Sequence, residues 1–153
     1  MIVSVGYSKL TPEELTQLVT RLRVELFYDV RSVPHSRKPG FTRNALERRF
    51  GSLYVWRPDL GGRTIPTVEA IATLFPVRTR RVLLLCLEEA PGDCHRHHTV
   101  ALPLWRRHNV DTHHVFQDHV VLASNLQRAI DTDSDYDSVG LDLFIKRTSS
   151  RPS

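Results

Sequence analysis

The 153-residue chain is poor in several things at once: two cysteines, one methionine, seven glycines and three lysines. Two cysteines rule out the disulfide framework of a small secreted scaffold and point instead to free thiols. The first residues, Met1-Ile2-Val3-Ser4-Val5, lack the basic start and long apolar core of an export signal, and no apolar run approaches membrane-spanning length. A cytoplasmic protein with no membrane partner is the expectation. There is no internal repeat, no Gly-x-Gly-x-x-Gly fingerprint and no Walker loop, so dinucleotide and NTP-hydrolysing sites of the usual kinds are not expected. Apolar residues at 41% and charged residues at 25% describe an ordinary globular protein, long enough to bury a core without metal or disulfide staples.

Charge is present, and almost all of the positive part is arginine, with a net of +4. Arg31, Arg37, Lys38, Arg43, Arg48 and Arg49 face only Glu47 within one segment, whereas 131–142 is strongly acidic. A guanidinium binds phosphate oxygens through two parallel hydrogen bonds, so the basic segment suits an anionic small molecule or nucleic acid. A solvated basic face is the plainer alternative. Oligomeric state leaves no mark in the pattern.

The apolar periodicity alternates strands and helices. Ile2–Gly6, Val24–Val30, Leu53–Trp56, Val82–Cys86 and Thr112–Phe116 read as strands. Thr11-Pro12-Glu13-Glu14 is a capping box that opens a helix carrying Leu15, Leu18, Val19 and Leu22 on one face. Further helices are expected near Asn44–Phe50, over Thr67–Phe75, from Cys94 onward with Asp93 as its cap, and over Val120–Ile130. Pro103 should kink or end the third of these. The fold expected is α/β: a three-layer domain with a mainly parallel sheet of about five strands and helices on both faces, over residues 1–130. Residues 131–153, acidic and then basic, should form a weakly packed tail.

Right-handed crossovers gather the strand ends of such a sheet on one edge, where ligands bind. Gly6-Tyr7-Ser8, Asp29–Arg37, Leu60–Arg63 and Cys86–Arg96 would meet there. Cys94 at a helix start, beside His95 and Arg96, should have a lowered pKa and thiolate character, since N–H groups at a helix start attract anions. Cys86 ends an apolar run and reads most simply as a buried structural thiol. The catalytic candidates are therefore Cys94, His95 and Asp29; the binding candidates are Tyr7, Ser8, Arg31, Ser36, Arg37, Gly61, Gly62 and Arg96. Asp29 either pairs with Arg31 and fixes its direction or simply caps the loop. The paired glycines allow close backbone approach to a ligand. Cys86, Cys94, His95, His97 and His98 include zinc-ligand types, but seven residues separate the cysteines where zinc sites usually show about two to four, so neither metal nor cofactor is expected.

Taken in order, these segments resemble the family known as domain of unknown function 488, over about Ile2 to Val115. The matching residues are Asp29, Val30, Arg31, Pro34, Ser36 and Arg37, then Phe41, then Leu60-Gly61-Gly62, then Leu84-Leu85-Cys86 with Cys94-His95-Arg96. Tyr7 stands where the family usually has histidine. A phenol titrates near pH 10 and an imidazole near neutrality, which weakens any proton-transfer role for that position. The resemblance implies an α/β fold with one shared site, and no particular reaction. A cysteine near a helix start followed by arginine is also similar to the anion loops of phosphatases and rhodaneses, but Arg96 is two residues after Cys94 and the phosphatase spacing is absent. Two functions follow: an enzyme on a phosphorylated or nucleic-acid-derived substrate, or a non-catalytic DNA-, RNA- or nucleotide-binding module. A purely structural domain is the third.

Overall fold

A computed structural model describes residues 1–116 and 119–132. Its strands are β1 (Ile2–Gly6), β2 (Leu26–Asp29), β3 (Tyr54–Trp56), β4 (Val82–Cys86), β5 (Thr112–Phe116) and β6 (His119–Leu122). They form one sheet in the order β3-β2-β4-β1-β5-β6. All neighbours are parallel except β5 and β6, which pair antiparallel from His113 against Leu122 to Phe116 against His119. The helices are α1 (Pro12–Arg21), α2 (Arg43–Phe50), α3 (Val68–Ala72), α4 (Leu102–His108) and α5 (Ala123–Thr132). The expected α/β class is correct, with one strand more than expected.

Strand periodicity divides the core in two. Val3, Val5, Leu83 and Leu85 point to one face and pack with Phe27 under Leu15, Leu18 and Val19 of α1 and Leu46 of α2. Ile2, Val82, Leu84 and Cys86 point to the other, against Ala70 and Ile71 of α3, Val100 and Leu104. The central strands β1 and β4 are buried along their whole length, as a parallel sheet covered on both sides requires. Each fully buried leucine, such as Leu15, Leu83 or Leu84, contributes about 1.5–3 kcal/mol. The capping box of α1 is formed: Glu14 N–H donates to Thr11 Oγ1 at 3.1 Å, and Thr11 N–H to Glu14 Oε1 at 3.2 Å.

Three boundaries depart from expectation. The expected helix over Val120–Ile130 begins three residues late, because Val120 is exposed and Val121 buried, a period of two that serves β6. Its start is set by Asp111, whose carboxylate accepts from the Ser124 N–H at 3.0 Å and from the Ser124 hydroxyl. Strand β2 is shorter than Val24–Val30, since the chain leaves α1 through Arg23 at φ 51. Asp93 is not a helix cap but lies in a short 3-10 turn, Pro91–Asp93; Cys94 after it is extended, and its carbonyl accepts from the His97 N–H. Pro103 does not end the helix it was expected to interrupt. A π-helical stretch, Arg96–Ala101, runs directly into α4, and Pro103 is the second residue of α4, where a missing N–H is tolerated. Asp131 and Thr132 belong to the last turn of α5, where Gln127 Nε2 donates to Asp131; the rest of the expected tail lies outside the described residues.

Candidate active site

The carboxyl ends of β1, β2 and β4 lie side by side, so the segments that follow them share one edge of the sheet. The β2 segment is locked by charge. Arg31 Nε and Nη2 donate to the two oxygens of Asp29 at 2.8 and 2.7 Å, a bidentate pair with both residues buried. Tyr54 donates to the same carboxylate. Arg31 Nη1 donates to the Phe41 carbonyl at 2.7 Å and the Tyr7 hydroxyl at 3.2 Å, and Tyr7 stacks on Phe41 with ring centroids 4.5 Å apart. Burial is the largest single influence on Arg31 and works against its charge, but the hydrogen bonds and charge of Asp29 together with Tyr7 outweigh it and its pKa rises. The Asp-Val-Arg motif is thus a clamp that fastens the 31–41 loop to the sheet. Its carboxylate is fully used in that task.

The β4 segment brings two sulfurs and an imidazole together. His95 Nδ1 lies 3.6 Å from Cys86 Sγ and 3.8 Å from Cys94 Sγ, while His95 Nε2 is 2.9 Å from the Val30 carbonyl. A carbonyl only accepts, so Nε2 carries a proton, and Nδ1 is the nitrogen that faces the sulfurs. Hydrogen bonding from the Cys86 thiol favours the charged form of Cys94 and works the other way on Cys86 itself. That bond from Cys86 is the largest influence on Cys94; burial opposes it, and His95, the Arg96 charge and the Arg96 backbone N–H add to it. The Cys94 pKa falls to about 3, whereas that of Cys86 rises. For His95 burial disfavours the charged form, but the Cys94 sulfur and the Val30 and Leu60 carbonyls prevail and raise its pKa.

Arg96 acts from behind this cluster. It is fully buried, and its guanidinium donates to Ser4 Oγ at 3.1 Å, to the Glu88 carbonyl and to the Glu89 carbonyl at 2.9 Å. The sequence assigns it to an anion; in the structure its donors are spent on the loop after β4, which it holds in place. Beyond Ser4 a buried chain of hydrogen bonds crosses the sheet to α5. Gln127 Oε1 accepts from His97 Nε2 at 3.0 Å, so His97 Nδ1 is bare and accepts from His114 Nε2 at 3.1 Å. His114 Nδ1 then accepts from the Ser4 hydroxyl, whose oxygen takes the Arg96 Nε proton. With both imidazoles neutral, every donor in this row has an acceptor.

A cleft of about 510 Å³ opens in front of the cluster, lined by Tyr7, Arg31, Ser32, His35, Gly62, Arg63, Cys86, Glu88 and His95, among others. A second, of about 380 Å³, shares Tyr7, His35 and Leu87 with it and adds Ser8, Ser36, Arg37 and Lys38. The structure therefore brings Tyr7, Ser8, Arg31, Ser36, Arg37, Gly62 and His95 to adjoining cavities. It sets Cys94 behind Cys86 and His95, and Asp29, Gly61 and Arg96 deeper still. Ser36 Oγ accepts from the Lys38 N–H, and Lys38 Nζ donates to the Ser8 carbonyl at 2.9 Å, which ties the loop across the end of β1. The close approach expected of the paired glycines is to protein rather than ligand. A Cβ on Gly62 would lie 2.8 Å from His95 Cγ, and one on Gly61 2.4 Å from Ser32 Oγ. Cys86, His35, Arg63 and Glu88 were not among the expected site residues. Cys86 is the instructive case, because its one signal, a thiol closing a buried strand, is also that of packing.

An α/β domain with a thiol–imidazole cluster behind a cleft at the carboxyl edge of its sheet is the class these features define. Residues 11–70 match the family model described as "Domain of unknown function DUF488", which bears out the family resemblance; the match takes in the Asp29–Arg31 clamp and Gly61-Gly62 and ends before the sulfur cluster. No curated protein and no solved structure matches the chain. Among the described residues no helix is long and apolar enough to cross a membrane.

Proposed function

We propose that the protein is an enzyme acting on a phosphorylated or nucleic-acid-derived substrate in the cleft before Cys86 and His95. The observation that carries this reading is the sulfur–imidazole cluster: His95 Nδ1 lies 3.6 and 3.8 Å from the Cys86 and Cys94 sulfurs, and Cys86 and His95 line a cavity open to solvent. Strongly shifted thiols next to a cavity are the mark of working rather than packing cysteines. The substrate class rests on charge. His35, Arg37 and Arg63 are exposed at the rims of the two cavities, where a phosphate would find donors that Arg31 and Arg96 no longer offer. The intracellular setting expected from the sequence suits such a substrate.

The test is a panel of phosphomonoesters, nucleotides and short oligonucleotides, followed for turnover by the wild type and by His95→Ala, and for binding by calorimetry with Arg37→Ala and Arg63→Ala. Turnover that His95→Ala abolishes and the arginine variants weaken supports the enzyme. A second reading, a non-catalytic nucleic-acid or nucleotide binder, is favoured by a third cavity of about 510 Å³ beside the same loop, where Arg43 stacks 5.0 Å from the Trp56 ring. Binding without turnover, unchanged in His95→Ala, would establish it instead.

A further inference from the structure

We propose that Cys86, Cys94 and His95 bind a zinc ion through Sγ, Sγ and Nδ1, with a fourth coordination position open to the cleft. The seven-residue gap that speaks against a metal in the sequence constrains only a local loop. Here the two sulfurs come from the end of β4 and from the residue after the 3-10 turn Pro91–Asp93, and the chain between them folds back so that they meet.

The distances carry the inference. The three donor atoms lie within 4.8 Å of one another, with Nδ1 at 3.6 and 3.8 Å from the sulfurs. Tetrahedral zinc, with Zn–S about 2.3 Å and Zn–N about 2.0–2.1 Å, places neighbouring ligand atoms about 3.5–3.8 Å apart. The three atoms therefore already stand near the corners such an ion requires. The imidazole is oriented as metal-bound histidines are: its far nitrogen donates to the Val30 carbonyl, which turns Nδ1 towards the sulfurs. Gly62, packed against the ring, keeps it from turning. Two thiolates and a neutral imidazole are a donor set for zinc rather than for magnesium or calcium. Binding displaces the protons of the ligating groups, which pass to solvent.

Three protein ligands leave one position for water, the pattern of catalytic rather than closed zinc sites. Cys86 and His95 line the cleft and Cys94 lies behind them, so that position lies on the cleft side, where Glu88 is the carboxylate in the wall. Zinc brings the pKa of its water to about 7, which would make the cluster a source of hydroxide for hydrolysis. This last role rests on the enzymatic reading above; ion binding does not.

The experiment uses the full chain purified under reducing conditions. Elemental analysis should find about one zinc per chain, falling at least tenfold in Cys86→Ser, Cys94→Ser and His95→Ala while His98→Ala keeps it. Because the serine variants can fail to fold, wild-type protein stripped with chelator is also titrated with Co²⁺. Intense visible bands of tetrahedral cobalt, together with thiolate-to-cobalt charge transfer in the near ultraviolet, support the site. A chain that carries no zinc, takes up neither Zn²⁺ nor Co²⁺ after stripping, and shows two thiols to a disulfide reagent overturns it, as does a site filled by iron or copper alone. Turnover undiminished in stripped protein leaves the enzyme standing and removes the ion's part in catalysis; metal uptake without turnover on any substrate leaves the zinc site standing and removes the enzyme.

Discussion

Acid should unfold this protein through its buried imidazoles. His97 and His114 are fully buried, and each nitrogen of both rings already has a partner that fixes its proton. Adding a proton to either ring sets N–H against N–H or against the Ser4 hydroxyl. Burial is the largest cause of the lowered pKa of His97; Gln127 opposes it, His98 and Arg96 add repulsion, Asp111 opposes, and the result is about 4. The unfolded chain takes up this proton near pH 6.5, the folded one only near 4. The stability at stake is thus fully present above about 6.5 and lost as the pH falls through 4, a difference of about 3 kcal/mol. The His114 pKa is also lowered, with burial again the main cause, and adds loss of the same sign. Against a total of about 5–15 kcal/mol this is a large share. Urea midpoints for wild type and His97→Gln between pH 7.5 and 4 measure it. A glutamine amide can accept from His114 and donate to Gln127 without titrating, so the variant's profile should be flatter by about 3 kcal/mol. Parallel profiles would refute the reasoning, since all carboxylates are common to both proteins.

Three further outcomes follow from the same contacts. Arg31→Met, which strands the Asp29 charge in the core, should cost about 3–5 kcal/mol in chemical denaturation, and Arg31→Lys should recover little because the bidentate geometry is lost; a loss below about 0.5 kcal/mol in Arg31→Met would mean the clamp does not hold the loop. Gly62→Ala should cost about 1–3 kcal/mol by overpacking and should also shift the His95 ring resonances in NMR spectra, whereas unchanged resonances would show that the backbone there yields. Thr11→Ala removes the side-chain half of the capping box and should lower stability by about 1 kcal/mol, read from thermal melts, with no change at the site.

The sequence announces the fold where one local rule suffices. Short apolar runs placed β1 and β4, and Thr11 with Pro12 and Glu14 placed α1, because these signals need no distant partner. It misplaces the start of α5, since Val120, Val121 and Leu126 fit either period and only Asp111, brought alongside by β5, decides between them. The Asp29–Arg31 pair is legible because two residues of separation let the side chains meet. Arg96 is not. Its acceptors come from Ser4, Glu88 and Glu89, and a guanidinium beside a helix start looks like an anion grip until those partners are known. Cys86 was hidden for the opposite reason: a thiol ending an apolar strand is what packing also produces, and the chain's return at Cys94 lies outside any local pattern.

Arg96 has an entropic consequence for whatever occupies the sulfur cluster. Closing a loop of about eight residues costs a free chain on the order of 2 kcal/mol in its length-dependent part alone. Between Cys86 and Cys94 that loss is met during folding, because a buried cation already grips the intervening carbonyls and Gly6 lets the strand end lie against Glu88, where a Cβ would meet the carbonyl oxygen at 1.6 Å. A ligand joining the two sulfurs therefore arrives at a loop already closed, and nearly all of its interaction energy is expressed as affinity.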